Sequence, residues 1–278
     1  MPDWRRTIHA VGDLHAGGIH RVRVQAMLDD VGKIPTPVLH LQIGDATEHG
    51  RHAEDVMAQR WLRRLPGRHE AILGNHDILH NARTPGQWAR AYGYRSKNFV
   101  IHLPFPLRII VVAPDRDHRP EASGTLSKAT LSFLERELAN HHAYDCWIAC
   151  HWPLRHTVLG DRAKLYTSDM ENFYAKPDKE IRALLARHRN AKAWLSGHTH
   201  SPLQAPGLVT RAPLPQGRSI VSANLSALVG TGKTRDRSDP ICSVYLTHRP
   251  GTIEFRFRDH RRRAWIAPHK RRVVPVRV

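Results

Sequence analysis

The sequence predicts an α/β fold of two mixed sheets packed face to face, with helices outside. Three observations carry this. Short apolar runs alternate with segments of helical period up to about residue 200. Several of those runs are too apolar to have a face in water, as strands covered on both sides are. Beyond residue 200 the helical segments stop and strand-like runs follow one another, with Gly and Pro between them.

The elements follow in order. Residues 7–11 read as a strand, and Val24, Met27, Leu28 and Val31 then mark one helix face. A strand over 38–43 precedes a second helix, with Ala53, Val56, Met57 and Trp61 on its inner face. After a strand at 71–73, Thr84 caps a helix that has Pro85 in its first position and ends at Gly93. A strand at 109–113 leads to a helix marked by Leu131, Leu134 and Leu138. A strand at 146–149 is followed by a helix capped by Asp178 and carrying Ile181, Leu184 and Leu185, and then by a strand at 193–195. Residues 208–210, 219–222, 243–247 and 252–258 complete the strands. No linker or repeat interrupts this, so residues 1–255 are expected to form one domain, with a basic extension at 256–278.

The 278 residues are 41% hydrophobic, enough for a sizeable core, which excludes a disordered or fibrous chain. The net charge is +18, which favours anionic substrates such as nucleic acid or phosphate compounds. Cys146, Cys150 and Cys242 are too few for a disulfide framework and read as core residues. The N-terminus lacks the apolar stretch of a signal peptide, and no run approaches the ~20 apolar residues of a membrane helix. A soluble, cytoplasmic protein without a membrane partner is expected.

Five short elements carry polar chemistry: Gly12-Asp13-Leu14-His15, the run from Gly44-Asp45 to Glu48-His49-Gly50, Gly74-Asn75-His76-Asp77, His151, and Gly197-His198-Thr199-His200. Most directly follow an apolar run, the place where α/β sheets collect functional side chains. Together they supply carboxylates, imidazoles and one amide oxygen. Two cations about 3.5–4 Å apart can clamp the attacking and leaving oxygens of a phosphoryl displacement. Holding them that close requires an anionic bridge, for which Asp45 is the candidate. Asp13 and His15, two residues apart on an extended segment, project to one side, and His198 and His200 share the spacing. Asp13, His15 and His200 are expected on the first ion, and Asn75, His151 and His198 on the second.

This set resembles the calcineurin-like metallophosphoesterase superfamily, whose pattern is Asp-x-His, Gly-Asp, Gly-Asn-His-Asp/Glu, His and Gly-His-x-His. The resemblance runs from Asp13 to His200 and implies a four-layer αββα sandwich. It also implies a pair of divalent or mixed-valence ions (Mn²⁺, Fe²⁺/Fe³⁺ or Zn²⁺). His76 matches a histidine that contacts phosphate or protonates the leaving alkoxide, and Asp77 would orient its ring. Within the superfamily the second and third blocks look most like the bacterial cyclic-nucleotide phosphodiesterase branch. Residues 123–126, leading into the helix of Leu131, and residues 222–226 add to that likeness. The chain lacks the Asp-Arg-Gly of protein phosphatases, having Glu48-His49-Gly50. It also lacks the second-block tyrosine of purple acid phosphatases, and it keeps His76 where lipid-A-pathway hydrolases have Arg.

The expected activity is hydrolysis of a small or cyclic-nucleotide phosphodiester by in-line attack of a metal-bridging hydroxide, with His76 assisting. A nuclease or phosphomonoesterase of the same superfamily, or a metal-binding protein without turnover, are the alternatives. The arginine-rich tail allows nucleic acid as a partner but shows no stacking platform. Residues 230–233 are glycine-rich without the spacing of a P-loop. Residues 152–176, with Arg155, His156, Arg162, Lys164, Tyr166 and Tyr174, could cover the metals. Asp115, Arg116, Asp117 and His118 leave another strand end.

Overall fold

The computed structural model describes residues 2–18, 21–81, 83–115, 124–158, 167–201, 207–225, 228, 241–266 and 276–277. The first half holds β1 (Thr7–Val11), α1 (Arg21–Val31), β2 (Leu39–Gln42), α2 (His52–Leu62), β3 (His69–Ala71), α3 (Pro85–Ala91), β4 (Phe99–His102) and β5 (Leu107–Val111). Then come β6 (Gly124–Thr125), α4 (Lys128–Asn140), β7 (Asp145–Ala149), β8 (Ala175–Lys176), α5 (Asp178–Arg187) and β9 (Ala191–Ser196). The chain finishes with β10 (Val209–Pro213), β11 (Ser219–Asn224), β12 (Cys242–Arg249), β13 (Thr252–Asp259), β14 (Ala264–Trp265) and β15 (Val276–Arg277).

One sheet runs β14-β13-β12-β1-β2-β3, with β15 also on β13, and the other runs β10-β11-β9-β7-β5-β4. The second has a parallel centre with antiparallel edges, and in the first β1, β2 and β3 run parallel at one edge while the remaining strands join antiparallel, so both are mixed. Between them Ile8, Leu39 and Leu41 of the first sheet meet Ile109, Trp147 and Leu195 of the second. Helices α1–α3 cover the outer face of the first sheet, and α4 and α5 that of the second. The four αββα layers are therefore present. Trp147 and Trp194, on neighbouring strands of the second sheet, are fully buried on its two opposite faces. Burial of one such large side chain stabilises the fold by roughly 1.5–3 kcal/mol. All three cysteines are buried thiols.

Local chemistry corrects two expectations and adds an edge strand. On α2, Val56 is exposed, whereas Glu54 and Asp55 are buried beside Ala58 and Trp61. The two acids have partners: Glu54 Oε2 accepts from the His49 and Arg51 amides, and Asp55 pairs with Arg83. Pro177 rather than Asp178 stands at the N-cap of α5, and Asp178 instead binds Arg182 one turn on, at 2.9 Å. The antiparallel edge strand β4 carried no clear signal in the sequence. Thr84, by contrast, caps α3 in a box with Gln87 as expected.

β13 passes through residue 255, the point from which a separate basic extension was expected, and its residues up to Asp259 pair with β12. Arg258 is anchored there by a bidentate contact to Asp30 of α1, 2.8 Å on each arm. Asp30 begins a buried polar row. It continues to His260 Nδ1 (2.9 Å), from His260 Nε2 to Ser243 Oγ (2.6 Å), and on to His9 Nε2 (2.7 Å). His9 Nδ1 then meets His40 Nδ1 at 2.8 Å, and His40 Nε2 ends the row on the Pro66 carbonyl at 2.9 Å. Each of these buried polar groups thereby has a polar neighbour within 2.9 Å. Residues 116–123, 159–166, 230–233 and 267–275, with the expectations placed on them, lie outside the described residues.

Candidate metal centre

Five strands deliver the expected donors. Asp13 follows β1, Asp45 follows β2, Asn75 follows β3, His151 follows β7 and His198 follows β9, each within four residues of the carboxyl end. The first three come from one sheet and the last two from the other, so the site sits at the shared rim of both.

The backbone there is not extended. Asp13, His15, Asp45, His198 and His200 all have positive φ, between 47° and 72°. The two Asp-x-His and His-x-His pairs therefore converge through left-handed turns and not through strand alternation. Asp and His tolerate that region better than most residues, yet each instance still costs on the order of 1–3 kcal/mol. Such strain persists only where neighbours hold it in place. Here Asp13 N–H donates to Gly44 O (3.1 Å), His15 N–H to Asp45 O (3.0 Å), and His198 N–H to Asp13 Oδ1 (3.2 Å). Gly44, at φ 77°, is required, since a Cβ there would lie 2.3 Å from His151 Nδ1.

Three groups of donor atoms result: Asp13, His15, Asp45 and His200; Asp45, His151 and His198; and His15, Glu48 and His76. Asp45 belongs to the first two. Its Oδ1 accepts from the His76 amide at 2.8 Å, and its Oδ2 lies 3.1 Å from His151 Nε2 and 3.9 Å from His15 Nε2. His200 Nε2 lies 3.2 Å from both Asp13 Oδ1 and His15 Nε2. Among the described residues, the buried oxygens Asp13 Oδ2 and Asn75 Oδ1 have no hydrogen-bond partner. A cation would supply what these oxygens lack, and a set of oxygen and imidazole donors without thiolate fits Mn²⁺, Fe or Zn²⁺.

Hydrogen bonds fix which nitrogen each ring presents. A carbonyl only accepts, so His151 donates through Nδ1 to Ile43 O (2.7 Å) and is left with Nε2. His198 donates through Nε2 to Asn172 O (3.2 Å) and keeps Nδ1. Phe173 stacks on the His198 ring, with centroids 4.7 Å apart, so the segment after residue 166 does cover this part of the site. Arg155 and His156 are not in the donor groups: Arg155 lies over Tyr174, and His156 pairs with Asp169. Asp115 binds Lys97 Nζ at 3.1 Å, away from these donor groups.

The electrostatics match a site built for positive charge. Burial alone would raise Asp13 and Asp45, but His200 beside Asp13 and His151 beside Asp45 hold both carboxyls below their ordinary range. Burial opposes charge on His151, and Asp45 outweighs it, pushing the imidazole up to about 9. His198, buried and next to His151, falls to about 3. Burial opposes charge on His76 as well, but Asp45, the Glu48 carbonyl and the Glu48 carboxylate together outweigh it and raise the imidazole.

Asp77 does not orient His76. Its Oδ1 accepts from Thr47 N and Oγ1, both at 2.9 Å, and its Oδ2 from Gly74 N at 2.9 Å. The carboxylate is fully used in tying the second block to the third. His76 Nδ1 instead donates to the Glu48 carbonyl at 2.8 Å. The role expected of Asp77 is corrected accordingly.

Sequence reasoning noted residues 222–226 only as a family likeness and gave Asn224 no role. Its side chain donates to Gly197 O and Ser196 Oγ and accepts from Thr199 Oγ1 at 3.0 Å, clamping the loop that bears His198 and His200. A polar amide ending a strand, within a stretch similar to the family, was the available signal.

An αββα sandwich with acidic and imidazole donors at the shared strand ends defines a metallophosphoesterase-type hydrolase. Residues 6–202 match the family model described as calcineurin-like phosphoesterase, and the chain belongs to that family. Its fold is similar to that of a dimetal phosphatase from Danio rerio: TM-score 0.64 and 12% identity over 94% of this chain and 97% of that one. It is also similar to GAP50, the anchor in the inner membrane complex of Plasmodium: TM-score 0.58 and 9% identity over 94% of this chain and 86% of that one. No curated protein matches by sequence. Among the described residues, no helix is long and apolar enough to cross a membrane.

Proposed function

We propose that this chain is a dinuclear metal-dependent phosphoesterase that hydrolyses a small phosphodiester, of the cyclic-nucleotide type. The observation that carries it is Asp45, which belongs to two donor groups at once. Asp13, His15, Asp45 and His200 would hold one ion, and Asp45, Asn75, His151 and His198 the other. Such a pair supplies Lewis acidity toward phosphoryl oxygens and lowers the pKa of water.

The remaining chemistry belongs to the chain. His76, with Nδ1 committed to the Glu48 carbonyl, offers Nε2 to give a proton to the leaving oxygen. Asn172 and Phe173 shield His198 from solvent on one side. The diester reading is supported by the likeness of the Gly44–Gly50 and Gly74–Asp77 blocks to cyclic-nucleotide phosphodiesterases. The net charge of +18 supports an anionic substrate.

The test is hydrolysis by the purified full chain with added Mn²⁺, using bis-p-nitrophenyl phosphate, p-nitrophenyl phosphate, cyclic AMP and single-stranded DNA. Turnover of the small diesters is expected. Turnover of the monoester alone, or of DNA alone, would replace the substrate class, and inertness toward all four would end the enzyme reading.

A further inference from the structure

Glu48 touches two histidines of the centre by two different routes. Its Oε2 lies 2.9 Å from Nδ1 of His15, and its main-chain oxygen accepts from Nδ1 of His76 at 2.8 Å. The residue is itself held in place, its amide donating to Ala16 O at 2.9 Å. The chain leaves room for the carboxylate: a Cβ at Gly18 would come within 2.9 Å of Oε2.

We propose that Glu48 is a positioning residue of the metal centre, its carboxylate holding His15 in the tautomer that carries hydrogen on Nδ1 and presents Nε2 to a cation. This rests on the dinuclear reading above. A neutral imidazole has one N–H. Were that hydrogen on Nε2, the Nδ1 lone pair would face a carboxylate at 2.9 Å, a repulsive contact. With the hydrogen on Nδ1 the same 2.9 Å separation becomes an attraction between N–H and carboxylate, set off the N–H axis. The lone pair of Nε2 is then directed at the side where Asp45 Oδ2 and His200 Nε2 lie, 3.9 and 3.2 Å away. A carboxylate in this position also makes the imidazole a stronger donor to metal.

Two of the other rings, His151 and His198, differ. The second nitrogens of His151 and His198 are held by the neutral carbonyls of Ile43 and Asn172. Of these three rings, His15 alone leans on a charged side chain. Loss of that charge is therefore expected to weaken one ion site selectively, the site made by Asp13, His15, Asp45 and His200.

The experiment uses the full chain stripped with chelator and titrated calorimetrically with Mn²⁺ alone. Wild type is expected to take up two ions. Glu48→Ala should weaken one of them by about 10–100-fold and leave the other unchanged. Glu48→Gln, which keeps the shape and one acceptor but not the charge, should fall between and serves if the alanine variant does not fold. A second readout needs no metal: two-bond ¹H–¹⁵N spectra of the imidazoles, with His15 assigned by loss of its signals in His15→Gln. Wild type should show His15 protonated at Nδ1, and Glu48→Ala should lose that preference. Two wild-type-strength ions in both variants, or a His15 protonated at Nε2 in wild type, would overturn the role of Glu48 while leaving the dinuclear reading intact. A wild-type chain that takes up no ion would overturn both.

Discussion

His151 and Ile43 lie on different sheets and are joined by a 2.7 Å hydrogen bond, from the imidazole Nδ1 to the main-chain oxygen. That bond closes the rim between the sheets and turns His151 Nε2 toward Asp45, 3.1 Å away. The centre is thus assembled by sheet packing. Disturbing that packing should disturb ion binding even where no donor is changed.

Gly44→Ala is the direct test. A methyl group at this position would sit 2.3 Å from His151 Nδ1, on a backbone at φ 77°. The expected result is a loss of about 1–3 kcal/mol in denaturant unfolding, together with weakened ion uptake. Unchanged ion stoichiometry and affinity in a folded variant would contradict the link between the two.

His76→Ala should separate binding from turnover. The side chain is in neither group that shares Asp45. Metal content after gel filtration should therefore match wild type, while kcat falls by ~10²–10⁴-fold if His76 moves a proton. A wild-type rate would show that the leaving oxygen gains its proton elsewhere. Asp45→Ala, in contrast, should lose metal and activity together.

Asn224→Ala removes the clamp on the loop of His198 and His200, deleting its bonds to Gly197 O and Thr199 Oγ1, which keep Thr199 N–H and Ser201 Oγ as partners. Each such hydrogen bond contributes about 0.5–1.5 kcal/mol. The thermal midpoint should fall accordingly, and Asn224→Asp should not restore it, because a carboxylate cannot donate to Gly197 O. Rescue by Asp would mean that only the Thr199 contact matters.

The buried row through His40 predicts acid sensitivity. Burial, aided by His69, lowers His40 to about 4 despite its bond to Pro66 O, so the folded chain keeps it neutral where the unfolded chain is protonated. The sign follows. The unfolded state binds more protons between about pH 6.5 and 4, so stability is full above that window and is lost as pH falls through it. A shift from 6.5 to about 4 corresponds to ~3 kcal/mol for this one group. Burial lowers His9 and His260 as well, in the same direction. Guanidinium unfolding of the metal-free chain at pH 7.5 and 4.5 measures this. The drop should be smaller in His40→Asn by the contribution of that residue, and an identical drop in both would refute it.

Much of the fold was legible because its signals are local. Apolar runs marked most of the central strands, Thr84-Pro85 marked a helix start, and the five polar blocks fell at strand ends. The α2 face was misjudged because Glu54 and Asp55 are buried through partners, His49 and Arg83, that periodicity cannot register. The course of β13 through residue 255 was hidden for a similar reason. Its arginines look like tail residues until Asp30 and Trp265 are placed beside them.

The sequence by itself determined the donor inventory, the order of the strands that carry it and the family pattern, since these depend on residue type and spacing. Only the tertiary structure decided how the donors meet. Left-handed turns at Asp13, His15, Asp45, His198 and His200 aim the side chains. Carbonyls of Ile43, Glu48 and Asn172 choose the ring nitrogens, and Thr47 and Gly74 claim Asp77. Each of these rests on a contact between residues distant in sequence or on a backbone angle that such contacts hold, and a linear pattern carries neither.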